Sequence, residues 1–381
     1  MKSRFARYDT IVVGGRVAGA ATAMLLAQQG QRVLVLERGT YGSDTLSTHA
    51  LMRGGVLQLE RWGVLGDIVD AGTPPVHMTT FHYPDESIVV DLKEPLYAPR
   101  RSVLDAALVD AAWDAGVDVQ FSTRVSQLVT GLDGRVTGVA GTDARGRPFW
   151  ARADLVVGAD GIRSLVASAA GARVERTGFF AMASIYGYWS DIDATGYEWV
   201  YGLDGAAGFI PTNDGQTCVF VGLTPEQFAT ARGNISAAYL DAVARVPQLQ
   251  DRLAGAHPPA RLRSFPGMRG YMRQAAGPGW ALVGDAGYFK DPTTAHGITD
   301  ALRDAELLSR AVVSNTLADY QAERDRLSTK LFALTDAIAS YQWNLDELRQ
   351  LLLALSGSMR HEVAEIQSWD NPRVVDSRLS A

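Results

Sequence analysis

The first residues along the chain that could bind a ligand form a glycine-rich turn. Gly14–Gly19 lies between two short apolar runs, and Glu37 follows about 20 residues later, at the end of the second run. A turn with little side chain lets a phosphate approach the backbone where a strand passes into a helix, and the free N–H groups at the start of that helix favour the anion. A carboxylate at the end of the next strand can accept hydrogen bonds from ribose hydroxyls. The predicted dinucleotide contacts are Gly14, Gly15, Arg16, Val17, Ala18, Gly19, Glu37 and Arg38.

One position departs from the usual pattern G-x-G-x-x-G, because Arg16 stands where the middle glycine is expected. Either the turn opens slightly, or the guanidinium group adds a positive charge near the phosphates. An ordinary glycine-rich turn of an α/β domain remains the alternative for this motif taken alone.

Two more acidic motifs follow predicted buried strands. Asp160-Gly161 comes after the first of these strands, and Gly284-Asp285 comes after the second. Asp285 can accept hydrogen bonds from sugar-like hydroxyl groups, and Pro292–Gly297 leads into a helix predicted to start near Ile298. The N-terminus of such a helix would stabilise negative charge on a ligand that contacts it. A plain turn is the alternative for Asp160-Gly161.

These motifs resemble those of the single-component flavoprotein monooxygenases. Asp160 to Ser164 is similar to the D-G motif of that family, Gly284-Asp285 with Pro292 and Gly297 to its G-D motif, and Arg101 to Leu104 to its arginine-bearing helix. The resemblance covers roughly residues 8–325, and the motifs occur in the family's order. It implies that the chain binds FAD. The contacts it implies are Arg101, Val125, Asp160, Gly161, Asp285, Pro292, Gly297 and Ile298.

The segment from Gly284 to Ile298 narrows the resemblance. Aromatic hydroxylases commonly show G-D-A-A-H and later G-Q-G-x-N, whereas this segment reads GDAGYFKDPTTAHGI. It is similar to the geranylgeranyl reductase and flavin halogenase branch. The resemblance therefore implies FAD firmly and leaves the reaction open.

Two histidines are candidates for acid–base chemistry beside the flavin. His49 lies in a polar stretch after the second strand, a segment that passes near the flavin ring in related enzymes, and His296 lies in the G-D loop. Histidine titrates near neutral pH and can serve as an acid or a base. A hydrogen-bonded structural role is the alternative for both. No histidines show metal-ligand spacing, so we predict no metal site.

The leading hypothesis is an FAD-dependent monooxygenase that hydroxylates or epoxidises an apolar, aromatic or polyketide-like small molecule. NAD(P)H would reduce the flavin, O2 would add at its C4a atom, and the resulting hydroperoxide would transfer one oxygen. No second G-x-G-x-x-G motif is present, so the donor would bind transiently or a partner flavin reductase would supply reduced flavin. The alternatives are a reductase of carbon–carbon double bonds, a halogenase and a flavin-binding regulatory protein. Halogenation is disfavoured, because Trp189 and Trp199 lack the W-x-W-x-I-P spacing and Lys290 is not on the segment expected for the halogenase lysine.

Composition limits the other classes of partner. The net charge of −6 comes from interspersed acidic and basic residues, which does not suggest a nucleic-acid or polybasic membrane surface. The lone Cys218 excludes an intrachain disulfide framework. No uncharged run reaches the roughly 18–20 residues of a membrane span. We expect a soluble cytoplasmic protein, and the oligomeric state stays open.

The elements that must position these residues are predicted from alternating strand and helix signals. The pattern predicts an α/β fold: a Rossmann-like FAD-binding domain, a substrate domain formed by a mixed antiparallel β-sheet, and C-terminal helices. The strand Thr10–Val13, the helix Val17–Gln29 and the strand Arg32–Leu36 form its first unit. The predicted FAD-binding domain comprises residues 1–75, 98–172 and 274–325, the substrate domain 76–97 and 173–273, and the helical segment 326–381.

Overall fold

The computed structural model of the chain describes residues 7–202, 205–231 and 233–369. The ends of the predicted domains at residues 1–6 and 370–381 lie outside this range. Within it the strands are β1 (Tyr8–Val13), β2 (Val33–Leu36), β3 (Val76–His82), β4 (Ser87–Leu96), β5 (Asp118–Gln120), β6 (Arg124–Thr130), β7 (Val136–Thr142), β8 (Pro148–Gly158), β9 (Val174–Thr177), β10 (Ala183–Ser190), β11 (Tyr197–Gly202), β12 (Gly205–Pro211), β13 (Gln216–Leu223), β14 (Arg263–Phe265), β15 (Tyr271–Arg273), β16 (Ala276–Gly277), β17 (Trp280–Leu282) and β18 (Tyr288–Phe289).

The helices carry the strand connections and the C-terminal part. They are α1 (Val17–Gln28), α2 (Arg53–Arg61), α3 (Leu65–Asp70), α4 (Arg101–Asp114), α5 (Leu165–Ala169), α6 (Pro225–Thr230), α7 (Ile235–Ala244), α8 (Pro247–Leu253), α9 (Gly297–Val313), α10 (Tyr320–Ala339) and α11 (Leu345–Ser368). Two single 3₁₀ turns, Gly284–Ala286 and Pro292–Thr294, flank β18.

The first sheet has the order β16-β17-β8-β1-β2-β5, with β7 also paired to β8 and β6 to β7, and its pairings from β17 through to β5 are parallel. Its apolar strands are buried on both faces, as parallel strands covered by helices must be. The strand β17 (residues 280–282) joins this sheet beside β8, so the late part of the chain completes it. The segment 274–325, which was predicted to belong to the FAD-binding domain, therefore contributes a strand to the first sheet.

The second sheet has the order β14-β10-β13-β12-β11-β3-β4 and is antiparallel except between β11 and β3. Successive side chains alternate between its faces. One face joins the core of the first unit, and the other packs with the helices α6 to α8. The predicted fold class, a Rossmann-like unit with a mixed sheet and C-terminal helices, is confirmed.

The sequence prediction for residues 173–265 contained no helices, and α6 to α8 correct it. The signal was present, because Thr224 and Gln227 form a capping box in which each side chain accepts from the other residue's backbone N–H. Asn234 likewise caps α7 by accepting from the Ala237 N–H.

Candidate functional site

The turn between β1 and α1 leaves no room for side chains at two of its glycines. Gly14 has a φ of +105°, and a Cβ atom on it would lie 2.4 Å from the carbonyl oxygen of Ala159. A Cβ atom on Gly19 would lie 1.8 Å from the carbonyl oxygen of Gly14. The start of α1 is therefore held against β1 and against the segment that leads into Asp160.

Arg16 occupies the place of the middle glycine without strain. Its φ of −97° and ψ of −165° are extended values that any residue adopts. The guanidinium group donates to Asp105 at 2.9 Å and to the carbonyl oxygen of Ser43 at 3.1 Å. Its positive charge therefore lies beside the turn and is shared with a carboxylate.

Glu37 ties the end of β2 to the same turn. Its Oε2 atom accepts a hydrogen bond from the Gly15 N–H at 2.7 Å, and its Oε1 atom accepts one from the Gly39 N–H at 2.6 Å. Each carboxylate oxygen keeps a further lone pair that could accept from a ribose hydroxyl. A narrow cleft opens at this point. It is lined by Gly15, Arg16, Glu37, Thr40, Gly42, Ser43, Asp105, Val109 and Phe121.

Arg38 and Val125 are among the predicted contacts that do not line this cleft. Arg38 is exposed on the surface. Val125 lies in β6 and packs against the apolar cluster on the far side of the first sheet. Their roles stay predictions.

Asp105 joins two of the predicted cofactor residues and was missed from the sequence. Arg101 binds it in a bidentate manner, with Nε to Oδ1 at 2.9 Å and Nη2 to Oδ2 at 3.1 Å, and Arg16 binds Oδ2 as well. Asp105 is 5% exposed. Its i+4 spacing from Arg101 on a helix was the signal that could have identified it.

Gly284 brings the glycine turn and the G-D motif together. A Cβ atom on it would lie 3.0 Å from the Cβ of Ala18 and 3.3 Å from the Cβ of Ala301, so α1 and α9 both pack on the residue before Asp285. The side chain of Asp285 is accessible to solvent although protein surrounds it, so it faces an enclosed space. This enclosure raises the pKa of Asp285 to about 6, while Arg101 and Lys290 act to lower it and access of water moderates the rise.

The helices α1 and α9 lie against each other and present two uncapped N-termini. Neither Arg16 nor His296, the residues that precede them, caps its helix with a side-chain hydrogen bond. Gly297 is exposed, and a Cβ atom on it would meet no described atom within 4 Å. Two open helix N-termini suit two electron-rich parts of one ligand: the pyrophosphate at α1 and the flavin N1–C2=O edge at α9. The residues present therefore fit FAD.

The carboxylate of Asp160 makes hydrogen bonds within the protein. It accepts from the Ser164 hydroxyl at 2.5 Å and from the Leu165 N–H at 2.7 Å, which anchors the start of α5. Gly161 supplies the turn with a φ of +79°. A contact from these two residues to the cofactor stays a prediction.

His49 lies in a separate pair with a tyrosine of the second sheet. Its Nε2 atom is 2.5 Å from the hydroxyl oxygen of Tyr188, and the two rings stack with centroids 5.6 Å apart. Burial lowers the pKa of His49 to about 3, helped by the positive charges of Arg100 and Arg101. Arg101 thus acts on both His49 and Asp285, which groups these residues in one region of the site.

The tautomer of His49 follows from its partners. Burial keeps the Tyr188 hydroxyl protonated by raising its pKa, and His49 Nε2 is its one hydrogen-bond acceptor among the described residues. Tyr188 therefore donates to Nε2, and the proton of the neutral ring is on Nδ1. This Nδ1–H group is buried and meets no acceptor in the described part of the chain.

Two arginines frame Tyr188, and the sequence analysis missed all three residues. The Cζ atom of Arg100 lies 3.6 Å from the centre of the Tyr188 ring, and that of Arg263 lies 6.0 Å away. Both guanidinium groups bind Asp44, at 3.2 Å and 2.7 Å. The backbone N–H of Arg100 also donates to Asn213, just beyond the end of β12. The adjacency of Arg100 to Arg101 was the signal available from the sequence.

His296 belongs to a different, fully buried network. Its Nε2 atom lies 2.6 Å from Glu362, whose other oxygen accepts from Arg303 at 2.6 Å. His296, Asp300 and Glu362 bring ligand atoms within 4.8 Å of one another. Lys290 and Arg303 already pair with these carboxylates, so we assign the group to charge balance. The structure therefore does not place the two predicted catalytic histidines in one hydrogen-bonded group.

Aromatic side chains cover the face of the second sheet that joins the core of the FAD-binding unit. Tyr186, Tyr201 and Phe220 are buried in that shared cluster, and Tyr188 packs on it. Phe209 and Trp189 face the other way, toward the helices α6 to α8. Such a face would give a flavin ring an apolar cover.

Within the part of the chain that the structure describes, no helix combines the length and apolar character needed to cross a bilayer.

Comparison with known proteins identifies the class of this site. Residues 7–333 match the family profile described as FAD binding domain. The chain is 26% identical over 364 residues to the digeranylgeranylglycerophospholipid reductase of Methanocella arvoryzae, covering 85% of this chain and 84% of that protein.

Two solved structures share the fold. The flavin-dependent brominase Bmp2 superposes with a TM-score of 0.79 at 17% identity, covering 96% of this chain and 99% of that one. PqsL of Pseudomonas aeruginosa, a "probable FAD-dependent monooxygenase", superposes with a TM-score of 0.72 at 20% identity, covering 96% and 100%. The family match spans the glycine turn, the arginine helix and the G-D loop that the structure brings together, so the chain belongs to the FAD binding domain family and is an FAD-dependent oxidoreductase.

Proposed function

We propose that the protein is an FAD-dependent monooxygenase that hydroxylates or epoxidises an apolar, aromatic or polyketide-like small molecule, using NAD(P)H and O2. Bound FAD would supply the redox and oxygen chemistry. The residues that would hold it are those of the two helix N-termini, Glu37, Arg101 and Asp285. The arrangement of these residues supports one extended dinucleotide.

The observation that carries the proposal is the buried Nδ1–H group of His49 beneath an aromatic sheet face. A buried donor without an acceptor costs roughly 1–3 kcal/mol, so it is expected to meet an oxygen atom when a ligand binds. Because Tyr188 fixes the tautomer, Nδ1 would donate to a substrate or cofactor oxygen on which negative charge develops. The aromatic face would exclude water from the reacting atoms.

The low pKa of His49 defines what this residue can do. At neutral pH the ring is uncharged, so it acts as a hydrogen-bond donor and does not carry a proton to solvent. A neutral imidazole that polarises an oxygen is an established use of histidine. We therefore assign His49 to stabilising charge and Tyr188 to holding it in place.

The lysine chemistry of halogenases finds no support. Among the described lysines, Lys290 is the buried one, and its ammonium group is paired with Asp300. Lys93 is exposed on the edge strand β4. Neither faces the aromatic side of the second sheet as a free amine.

A reductase of carbon–carbon double bonds is the second candidate. The similarity to digeranylgeranylglycerophospholipid reductase over most of both chains favours it. This candidate differs from the first in that its reaction does not require oxygen.

Oxygen dependence tests the two candidates. The FAD-loaded protein is first bleached with NADH or NADPH under nitrogen, and aromatic polyketide-type compounds and a polyprenyl lipid are then tested separately. Oxygen uptake that depends on an aromatic compound, with one atom of ¹⁸O₂ in the product, is the result expected. Substrate-linked NAD(P)H consumption that proceeds equally under nitrogen and saturates a double bond would replace the monooxygenase assignment with the reductase.

A further inference from the structure

A single buried carboxylate connects the C-terminal helix α11 to the N-terminus of α9. Glu362 is 1% exposed and is the acceptor for His296 Nε2 and for Arg303 Nη1, each at 2.6 Å. His296 directly precedes the first residue of α9, and Arg303 lies in the second turn of that helix. One side chain of α11 therefore holds the first two turns of α9.

The charge of Glu362 is maintained by these two partners. Burial acts to raise the pKa of Glu362, but His296 and Arg303 outweigh burial and hold it well below its usual range. The ionised carboxylate lies behind the helix N-terminus that faces the flavin position. Charged groups face His296 from three elements: Lys290 from the G-D loop, Asp300 and Arg303 from α9, and Glu362 from α11.

One ring nitrogen of His296 has no hydrogen-bond partner among the described residues. Its Nε2–H group donates to the ionised Glu362, and its Nδ1 atom is buried with no partner in the described ranges. The residue that follows, Gly297, is open to the surrounding space. The orientation of the ring, and of the backbone that starts α9, thus depends on Glu362.

We propose that Glu362 is a positioning residue of the flavin site: it fixes His296 and the start of α9, and its negative charge offsets part of the positive potential that this helix end presents to the flavin. The proposal rests on FAD binding, which the family match supports. It does not depend on whether the enzyme is a monooxygenase or a reductase.

Replacement of the charge alone is the first test. Glu362→Gln keeps the shape of the side chain and removes its charge. The FAD-loaded variant should bind sulfite more tightly, roughly tenfold, because loss of a buried negative charge beside the start of α9 favours an anionic adduct of the flavin. Its flavin should also be reduced at a more positive potential. A residue needed only for stability would lower the melting temperature and leave both quantities unchanged.

The second test moves the carboxylate and keeps its charge. Glu362→Asp keeps the charge but withdraws it by one methylene group, so FAD should dissociate more readily while sulfite affinity stays within twofold of the wild type. Glu365→Gln is the matched control, since it removes the same charge from the partly exposed side of α11, where Glu365 pairs with Arg326. This control should change neither quantity.

Two outcomes would overturn the proposal. The first is a Glu362→Gln protein whose sulfite affinity and flavin potential match those of Glu365→Gln. The second, which decides the matter if Glu362→Gln does not fold, is a Glu362→Asp protein that binds FAD as the wild type does. An FAD-loaded wild-type protein that performs no oxygen-dependent reaction would remove the monooxygenase assignment and leave this proposal standing.

Discussion

The hydroxyl oxygen of Tyr188 lies 2.5 Å from the Nε2 atom of His49, and this contact joins the second sheet to the segment that follows β2. His49 has a φ of +71°, a left-handed conformation that costs a non-glycine residue of order 1–3 kcal/mol unless its surroundings fix it. A tyrosine of the second sheet thus holds the imidazole ring of a residue whose backbone is strained. Strain of this kind is concentrated at functional sites.

Tyr188→Phe should slow turnover and leave FAD binding almost unchanged. Without the hydroxyl group, His49 loses the donor that fixes its tautomer, so Nδ1 no longer reliably carries the proton. We expect kcat to fall by roughly 10²-fold, the scale of a lost transition-state hydrogen bond. Steady-state kinetics and an FAD titration of the same preparation measure the two quantities.

Tyr239→Phe is the matched control for that variant. Tyr239 is a buried tyrosine on the far side of the same sheet, where its hydroxyl accepts from Trp189 and donates to the carbonyl of Val219. Its replacement should lower stability slightly and leave kcat within twofold. Equal kcat values for Tyr188→Phe and Tyr239→Phe would return His49 to a purely structural role.

Gly19→Ala should prevent formation of the FAD-loaded protein. The added Cβ atom would lie 1.8 Å from the carbonyl oxygen of Gly14, so α1 would have to move away from β1. Overpacking of this kind typically costs 1–3 kcal/mol or more. We expect the purified variant to be colourless or to melt well below the wild type, as absorption spectroscopy and thermal unfolding would show.

Gly66→Ala serves as its control, because a Cβ atom there meets no described atom within 4 Å and Gly66 lies inside α3. Alanine in a helix is favoured over glycine by up to about 1 kcal/mol. The control should be yellow and as stable as the wild type or slightly more so. A yellow, fully stable Gly19→Ala protein would contradict the packing argument.

The parts of this site that local spacing encodes were accessible from the sequence. The turn at Gly14, the strand end at Glu37 and the G-D loop each follow from a strand that stops where a helix begins. In the structure Glu37 binds the turn through the Gly15 N–H, and Gly284 of the G-D loop lies against Ala18 of the same turn. Parallel strands end at one edge of a sheet, so motifs at their carboxyl ends must converge. This explains why the order of the motifs along the chain was enough to predict that they lie close together.

Partners contributed by distant segments were not accessible in the same way. Asp105, Tyr188 and Glu362 carry no motif, and each acquires its role from a residue 66 to 139 positions away. For Asp105 that residue is Arg16, 89 positions away. His49 and His296 were both predicted to lie beside the flavin, each from its own segment, and that placement stays a prediction. In the structure one lies against the second sheet and the other against α11, and only the packing of those elements decides this.

Asp105→Asn should weaken FAD binding by roughly tenfold or more. The neutral amide can no longer pair with both Arg16 and Arg101, and removal of one partner from a buried ion pair typically costs about 3–5 kcal/mol. Part of that free energy is lost from FAD binding, because Arg16 and Asp105 line the cleft and would be held less firmly. Fluorescence titration of the protein with FAD measures the change.

Asp110→Asn on the same helix is the control, because Asp110 is exposed and accepts only from the Tyr41 hydroxyl among its described contacts. It should bind FAD within twofold of the wild type. The same weakening in both variants would show that the net charge of the helix, and not the Arg16–Asp105–Arg101 bridge, controls binding.

The pH dependence of FAD binding should report the ionisation of Asp285. Its pKa is raised from 3.8 to about 6 because protein encloses the carboxylate, so at neutral pH it is ionised and can accept from the ribityl hydroxyls. As the pH falls through 6 the carboxylate takes up a proton, and FAD affinity should fall by at most about tenfold per pH unit. The FAD-free protein should respond in the opposite direction. Since the folded state holds this proton more tightly than the unfolded state, the group adds stability as the pH falls from about 6 toward 4 and this contribution is absent at pH 7.

Asp285→Asn separates this group from all others that titrate. The amide is neutral at every pH, so the variant should bind FAD more weakly at pH 7.5 and lose much of the steepness between pH 7 and 5, while its FAD-free form melts higher than the FAD-free wild type at pH 7.5. Isothermal titration with FAD at several pH values, together with thermal unfolding without FAD, measures both effects. If the wild type and Asp285→Asn lose affinity in parallel as the pH falls, the titrating group is another residue, and the ribityl contact assigned to Asp285 would have to be given up.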